Sequence, residues 1–162
     1  MKRVVPYGIA VALVLTMTMP ASAQKFEGVA VTSGHATFTF AGKDLAFSAV
    51  EGGFQQVQGF TLATLIFKPA PKSNGDTHLN LTLMYQAPGK IDLDAAFSMS
   101  GIGMFADGDV SRFTKGKSTC TITLTKATAT EVEGTAECPL LHNIEGDVMP
   151  PLTKVKFSAT IK

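Results

Sequence analysis

CTITLTKATATEVEGTAEC, residues 120–138, reads as two strands joined by a turn near 127–130. Pairing positions whose numbers sum to 258 sets Cys120 opposite Cys138. The same register places Ile122 opposite Ala136, Leu124 opposite Gly134 and Lys126 opposite Val132. Thr121 then meets Glu137, Thr123 meets Thr135 and Thr125 meets Glu133. Because strand side chains alternate between faces, the first set shares one face and the second the other. One face is mainly apolar and the other wholly polar, which is the division a sheet with one buried side requires. Two cysteines held opposite each other predict a disulfide, and closing a loop of this length contributes about 3 kcal/mol in the chain-entropy account. Zinc would call for more Cys or closely spaced His, and a thiol oxidoreductase for Cys-x-x-Cys; the chain has 2 Cys and neither pattern.

The alternation continues away from this hairpin. Ala36, Phe38 and Phe40 alternate with Thr37 and Thr39, and Val155, Phe157, Ala159 and Ile161 alternate with Lys154, Lys156, Ser158 and Thr160. No window beyond a turn or two keeps the 3.6-residue repeat of an amphipathic helix, so the fold class is all-β. Strands are expected over 27–31, 35–40, 44–50, 60–68, 77–86, 90–99, 102–106, 109–114, 118–126, 131–138 and 153–161. So many short strands suit an antiparallel β-sandwich, Ig-like or jelly-roll-like, with a small β-barrel as the alternative. Phe60 to Phe67 is apolar on both parities, which predicts a central strand covered on both faces.

Turn residues set the connections. Asp107-Gly108 predicts a two-residue hairpin opposing Phe105 to Val110 and Ile102 to Phe113. At Pro88-Gly89 a two-residue loop would set Leu83 against Asp94, whereas an odd-numbered loop matches Tyr85 with Ile91, Leu83 with Leu93, Leu81 with Ala95 and Leu79 with Phe97. Four apolar pairs outweigh a turn preference, so a bulge is expected near Gly89. Pro69, Pro71, Asn74 and Gly75 interrupt the chain, and Pro139, Pro150 and Pro151 bracket a loop before the last strand.

At the N-terminus, Lys2 and Arg3 precede an apolar run from Val4 to Leu15, then Pro20 and Ala21-Ser22-Ala23. This is the pattern of a secretory signal peptide over residues 1–23, cleaved to leave residues 24–162 as a single β domain. The run is shorter than the ~20 residues a membrane-spanning helix needs, so no stable membrane span is expected after cleavage. The location that follows is a periplasm or the extracellular space, an oxidising setting in which a disulfide persists. The full chain has 162 residues with 14 Lys and Arg against 13 Asp and Glu, a net charge of +1. That balance offers no excess for gripping phosphate backbones or anionic lipid, so nucleic acid is not an expected partner.

Candidate functional residues are few. His78, His142, Glu145 and Asp147 carry metal-ligating chemistry, and soft Met84 beside an imidazole suits copper. However, His78 and Met84 lie six positions apart, ~20 Å along a strand. Carboxylates at Asp76, Asp107 and Asp109 are explained by turn chemistry better than by calcium, which takes 6 to 8 oxygen ligands. Ile102, Met104, Phe105 and Phe113 could line the mouth of a site for a small apolar ligand. The mixed polar loop Leu140 to Pro151 could contact a partner. Ser33 and Ser48 lie in no nucleophile elbow, and Gly52-Gly53 lacks the Lys and Ser or Thr of a phosphate loop, so neither an enzyme nor a cofactor is expected. The reading is a secreted or periplasmic non-enzymatic β-domain that binds a protein, an envelope component or a small apolar ligand. The alternatives are a carrier of an apolar ligand inside a β-barrel and a periplasmic copper-binding protein. Thiol titration of the unfolded, unreduced mature protein is expected to find almost no free sulfhydryl; two free thiols per chain would refute the bridge.

Overall fold

The computed structural model of the chain describes residues 29–69, 77–95, 98–106 and 108–161. The signal segment and Phe97 lie outside the described residues. Those residues form thirteen strands and no helix: β1 Val29–Ala30, β2 Ser33–Phe40, β3 Lys43–Phe47, β4 Ala49–Val57, β5 Phe60–Lys68, β6 His78–Tyr85 and β7 Gly89–Ile91 come first. They are followed by β8 Gly101–Ala106, β9 Asp109–Arg112, β10 Thr119–Ala127, β11 Glu131–His142, β12 Val148–Met149 and β13 Leu152–Thr160. Every pairing is antiparallel, in the order β1-β4-β5-β6-β8-β9-β11-β13-β2-β3, with β10 and β12 also on β11 and β7 beyond β10. The path ends at β1 and β3, so the sheet is not closed into a barrel.

The long strand β11 joins two halves. Its first part lies between β10 and β13, whereas Leu141 and His142 pair with β12 and His142 also with β9. Inward positions are Val132, Gly134, Ala136 and Cys138 before Pro139, then Leu141 after it, all buried. Parity therefore changes at Pro139, where the register with β10 shifts by one; the register with β13 shifts earlier, between Ala136 and Cys138, at the Lys154 bulge of β13. The expected strand end at 138 is corrected: a proline lacks the N–H a ladder needs, but at a bulge that N–H is not required, and the chain bends there instead of stopping. At the other side, Val31 N–H donates to Gly52 O at 3.0 Å and Thr32 N–H to Thr160 O at 2.9 Å, tying the β1–β2 link to both halves.

Inward side chains of both halves merge into one core. Leu65, Phe67, Leu79, Leu81, Leu83 and Met104 from the first half and Ile122, Val132, Val155 and Leu152 from the second are fully buried. Each such side chain contributes about 1.5–3 kcal/mol relative to exposure. Phe38 and Phe47 meet edge to face with centroids 4.9 Å apart. Gly134 is required by closeness: a Cβ there would lie 2.6 Å from Thr123 O and 2.8 Å from Phe157 Cζ.

The Cys120–Cys138 disulfide is formed, with Cα atoms 4.1 Å apart and Cys138 wholly buried. The 258 register holds from Thr121–Glu137 to Leu124–Gly134, then slips by one at Thr125. Lys126 consequently faces Glu133, and Ala127, not Lys126, faces Val132. The uniform register would turn an ammonium into the core; the bulge turns it out, where its Nζ lies 2.7 Å from Glu131 Oε2, and buries Ala127. That hydrogen bond holds Lys126 above its ordinary pKa.

Three further expectations are corrected. β6 does not pair with the chain after Pro88-Gly89. β7 crosses to β10, with Ile91 opposite Ile122, and β6 takes β8, with Leu79 opposite Met104 and Leu81 opposite Ile102. Alternation fixes which side chains turn inward, so Ile91 and Leu93 are still buried, but does not choose the partner strand. Asp92 Oδ1 accepts the Asp94 N–H at 3.0 Å, an Asx turn that ends the extended run expected over 90–99. Second, the expected strand 44–50 is two strands, and β4 runs on through Gly52-Gly53. A Cβ at Gly52, whose φ is +122°, would lie 1.8 Å from Thr64 O, so the glycine permits close approach to β5. Third, β5 is flanked by β4 and β6 as a central strand, but only Thr61, Ala63, Leu65 and Phe67 are buried; its other face is half-buried. The Asp107-Gly108 hairpin keeps its register, with Phe105 opposite Val110 and Phe113 N–H donating to Ile102 O at 2.8 Å.

Tyr85 closes one end of the core, its hydroxyl donating to Thr128 O at 2.9 Å in the β10–β11 turn. Burial pushes its phenol well above the ordinary value. The folded state thus keeps a proton that the unfolded chain releases near pH 10, and stability falls as pH rises beyond about 10. The melting midpoint is expected to drop more steeply above that pH for the parent than for Tyr85→Phe; identical slopes would contradict this placement.

Candidate functional site

The sequence-predicted metal residues do not come together. Among the described residues no three His, Cys, Asp or Glu side chains are grouped to hold an ion. His78, on the outer face of β6, stacks on Phe105 with ring centroids 4.1 Å apart. Asp147 Oδ2 accepts Asn143 Nδ2–H at 3.1 Å, and Glu145 is exposed. The polar loop is largely a hairpin turn: Asn143 Oδ1 accepts the N–H groups of Gly146 and Asp147, each at 2.8 Å. Its polarity serves the turn between β11 and β12.

His142 is buried and its Nδ1 lies 3.1 Å from Ser118 Oγ, a pair that invites comparison with a nucleophile and its base. The surrounding bonds argue otherwise. Ser118 Oγ accepts the Thr114 N–H at 2.9 Å and donates to Arg112 O at 3.2 Å. A hydroxyl that links the Thr114 N–H, the Arg112 carbonyl and the His142 ring is tied into the packing of the 113–118 loop. The pair anchors the 113–118 loop to β11.

Two of the surface concavities bear on a functional reading. One, about 610 Å³, opens on the second half over β2, β3 and β13. It follows the β13 bulge at Lys154, whose φ is 52°. Its carboxylates are engaged: Glu137 Oε1 accepts the Lys154 N–H at 2.9 Å, and Asp44 accepts the Thr39 hydroxyl.

The other, about 330 Å³, lies over β6, β8 and β9. Phe105 and Phe113 line it and Ile102 borders it, but the Ile102 side chain, like that of Met104 at the same parity, is buried in the core, so two of the four ligand candidates present side chains to this face. The outward positions of β8 beside Phe105 are Gly101 and Gly103. Asn80 sits opposite Gly103 on one side and Arg112 opposite Gly103 on the other, forming a row across three strands. Asn80 Oδ1 is buried and has no hydrogen-bond partner among the described residues. A buried acceptor left unmade costs about 1–3 kcal/mol. Ile144, exposed at the tip of the 143–147 turn, adds an apolar wall. Sequence reading missed Asn80, the two glycines and Arg112. Two glycines at the same parity of a predicted strand were the available signal.

Ser118→Ala is expected to lower unfolding stability by about 1–3 kcal/mol in denaturant titration, since it strips partners from Thr114, Arg112 and His142. The counterpart Ser158→Ala, which removes a single exposed contact with His35 Nδ1 at 2.9 Å, is expected to change it by less than about 0.5 kcal/mol; equal losses would contradict the anchoring role. No protein-family model, no curated protein and no solved structure matches the chain.

Proposed function

We propose that the chain is exported, cut after Ala23, and works in a periplasm or outside the cell as a non-enzymatic binding domain. Its partner is met on an outer face of the sheet. The observation that carries this reading is the concavity over β6, β8 and β9, where Phe105, Phe113 and an exposed Arg112 line an outer face of the sheet. A disulfide on a filled core supplies the rigid support a preformed site needs, and it fits an oxidising compartment. Among the described residues no helix is long and apolar enough to cross a membrane.

The observations favour this reading over its rivals. An apolar-ligand carrier keeps support from Phe105 and Phe113, but these lie outside the sheet, while the interior is occupied by one packed core. Copper binding would need ligands that here stack, cap turns or anchor a loop.

Full-length protein produced in a bacterium is expected to appear in the periplasmic fraction with Gln24 at its N-terminus; an unprocessed cytoplasmic chain would overturn the export reading. The melting midpoint of the mature protein, scanned against small molecules, envelope glycans and peptides, should rise with at least one of them. A midpoint that none of them moves contradicts a binding role.

A further inference from the structure

The two halves turn different surfaces to solvent. Outward positions of the second half are largely Thr, Lys and carboxylates, among them Thr37, Thr135, Glu137 and Lys156. On the first half they include Phe60, Leu62 and Ile66 of β5, Met84 of β6 and Phe105 of β8, all half-buried. The exposed large apolar residues among the described ones follow the same division. Val29, Val57, Met99, Ile144 and Val148 lie on β1, on β4, just before β8, and on the β11–β12 turn and β12; none lies on β2, β3, β10 or β13. A continuous apolar face of this kind marks contact with another body.

Five strands build the face in the order β4-β5-β6-β8-β9, with β6 at the centre. One row across it reads Glu51, Ile66, Asn80, Gly103 and Arg112. The row is unlike on its two sides. Bulk stands on β5 at Ile66 and is missing on β8 at Gly103, while a carboxylate stands on β4 and a guanidinium on β9. A half-turn about an axis along β6 lays β5 of one copy on β8 of a second, and β4 on β9. Ile66 of each copy then enters the hollow over Gly103 of the other. Glu51 of each, which already bonds Lys68 at 2.9 Å, meets the exposed Arg112 of the other. Every unlike pair is made twice, which is the condition for an isologous two-fold contact. Apolar side chains take the centre and charges the rim, the anatomy of a specific interface. Five strands about 4.8 Å apart and about eight residues long at ~3.3 Å each give roughly 600 Å² a side, at the lower end for specific association.

We infer that the outer face of β4, β5, β6, β8 and β9 docks a second copy of the chain about a two-fold axis along β6, with Ile66 over Gly103 and Glu51 against Arg112 across the contact. Two sheet faces stacked with their strands nearly aligned is the packing of a β-sandwich, here formed between copies. The inference rests on the binding-domain reading and names the partner of that face.

The test is sedimentation equilibrium of the mature protein from about 1 to about 500 µM, where a dimer dissociating at roughly 1–100 µM is expected. Ile66→Lys should weaken association at least about tenfold by placing a charge at the centre of the contact. Ile66→Thr keeps a β-branched residue on the strand, serves where the lysine variant does not fold, and should weaken association about threefold or more. Arg112→Glu and Glu51→Arg should each weaken it about tenfold, and the two together should return it to within about threefold of the parent, because the exchange recreates both pairs. Lys156→Glu, on the outer face of the second half, should leave it unchanged. A chain that stays monomeric throughout, a dimer indifferent to the Ile66 variants, or a double variant no better than the single ones overturns the inference. A monomer that takes up a lipid vesicle or another protein through this face overturns it as well. If the chain stays monomeric while a ligand raises its melting midpoint, the second copy is wrong and the binding-domain reading stands.

Discussion

One strand has to satisfy two halves of the molecule. β11 keeps Val132 to Cys138 turned into the core between β10 and β13, then changes parity at Pro139 and turns Leu141 into the same core beside β9 and β12. Without that change the alternation would send Leu141 to solvent. The disulfide sits one residue before the bend and fixes β10 to β11 where the ladder is interrupted. Covalent restraint is thus placed at one of the two irregularities of that ladder. Gly134 allows the Phe157 ring to lie against β11, and Tyr85 reaches from β6 to the β10–β11 turn, so the first half is fastened to the same strand from another direction.

With the inward parities committed to packing, the chemistry available to function lies on the outward ones. The two halves differ there. The second half presents Thr, Lys and carboxylates that largely bond one another around the Lys154 bulge. On the first half the outward residues of β5 and β6 are half-buried, and β8 gives up side chains altogether at Gly101 and Gly103. The resulting concavity is lined by Phe105, Phe113 and an exposed Arg112, in contrast to Ser118 and His142, which bond one another in the anchoring of a loop.

Much of the fold was legible because alternation is a local property. It identified the inward faces of β2, β6, β10 and β13, the Cys120–Cys138 pair, and the register of the β8–β9 hairpin from Asp107-Gly108. Partner choice is not local. The parity that suggested Tyr85 opposite Ile91 is equally consistent with β6 against β8, and only the global arrangement decides. A breaker residue misled in the same way: Pro139 read as the edge of a loop, yet it sits at a bend within a strand, and the run expected to stop at 50 continues through Gly52-Gly53, where glycine permits close approach within the sheet. The Thr125 bulge was hidden because the cost of burying Lys126 appears only once the far end of the hairpin is known to be covered. The candidate site was half legible. Phe105 and Phe113 were visible as apolar residues near a turn, but the row Asn80–Gly103–Arg112 exists only after β6, β8 and β9 are paired.

If β11 binds the two halves into one cooperative unit, native-state hydrogen exchange is the direct measure. Amides of Val132 to Ala136 and of Leu141 should exchange only through global opening, with the same free energy as amides of β5 and β6 in the other half. Two separate opening free energies, with β5 and β6 exchanging while the β10–β11–β13 amides stay protected, would show that the halves fold independently and that β11 does not unite them.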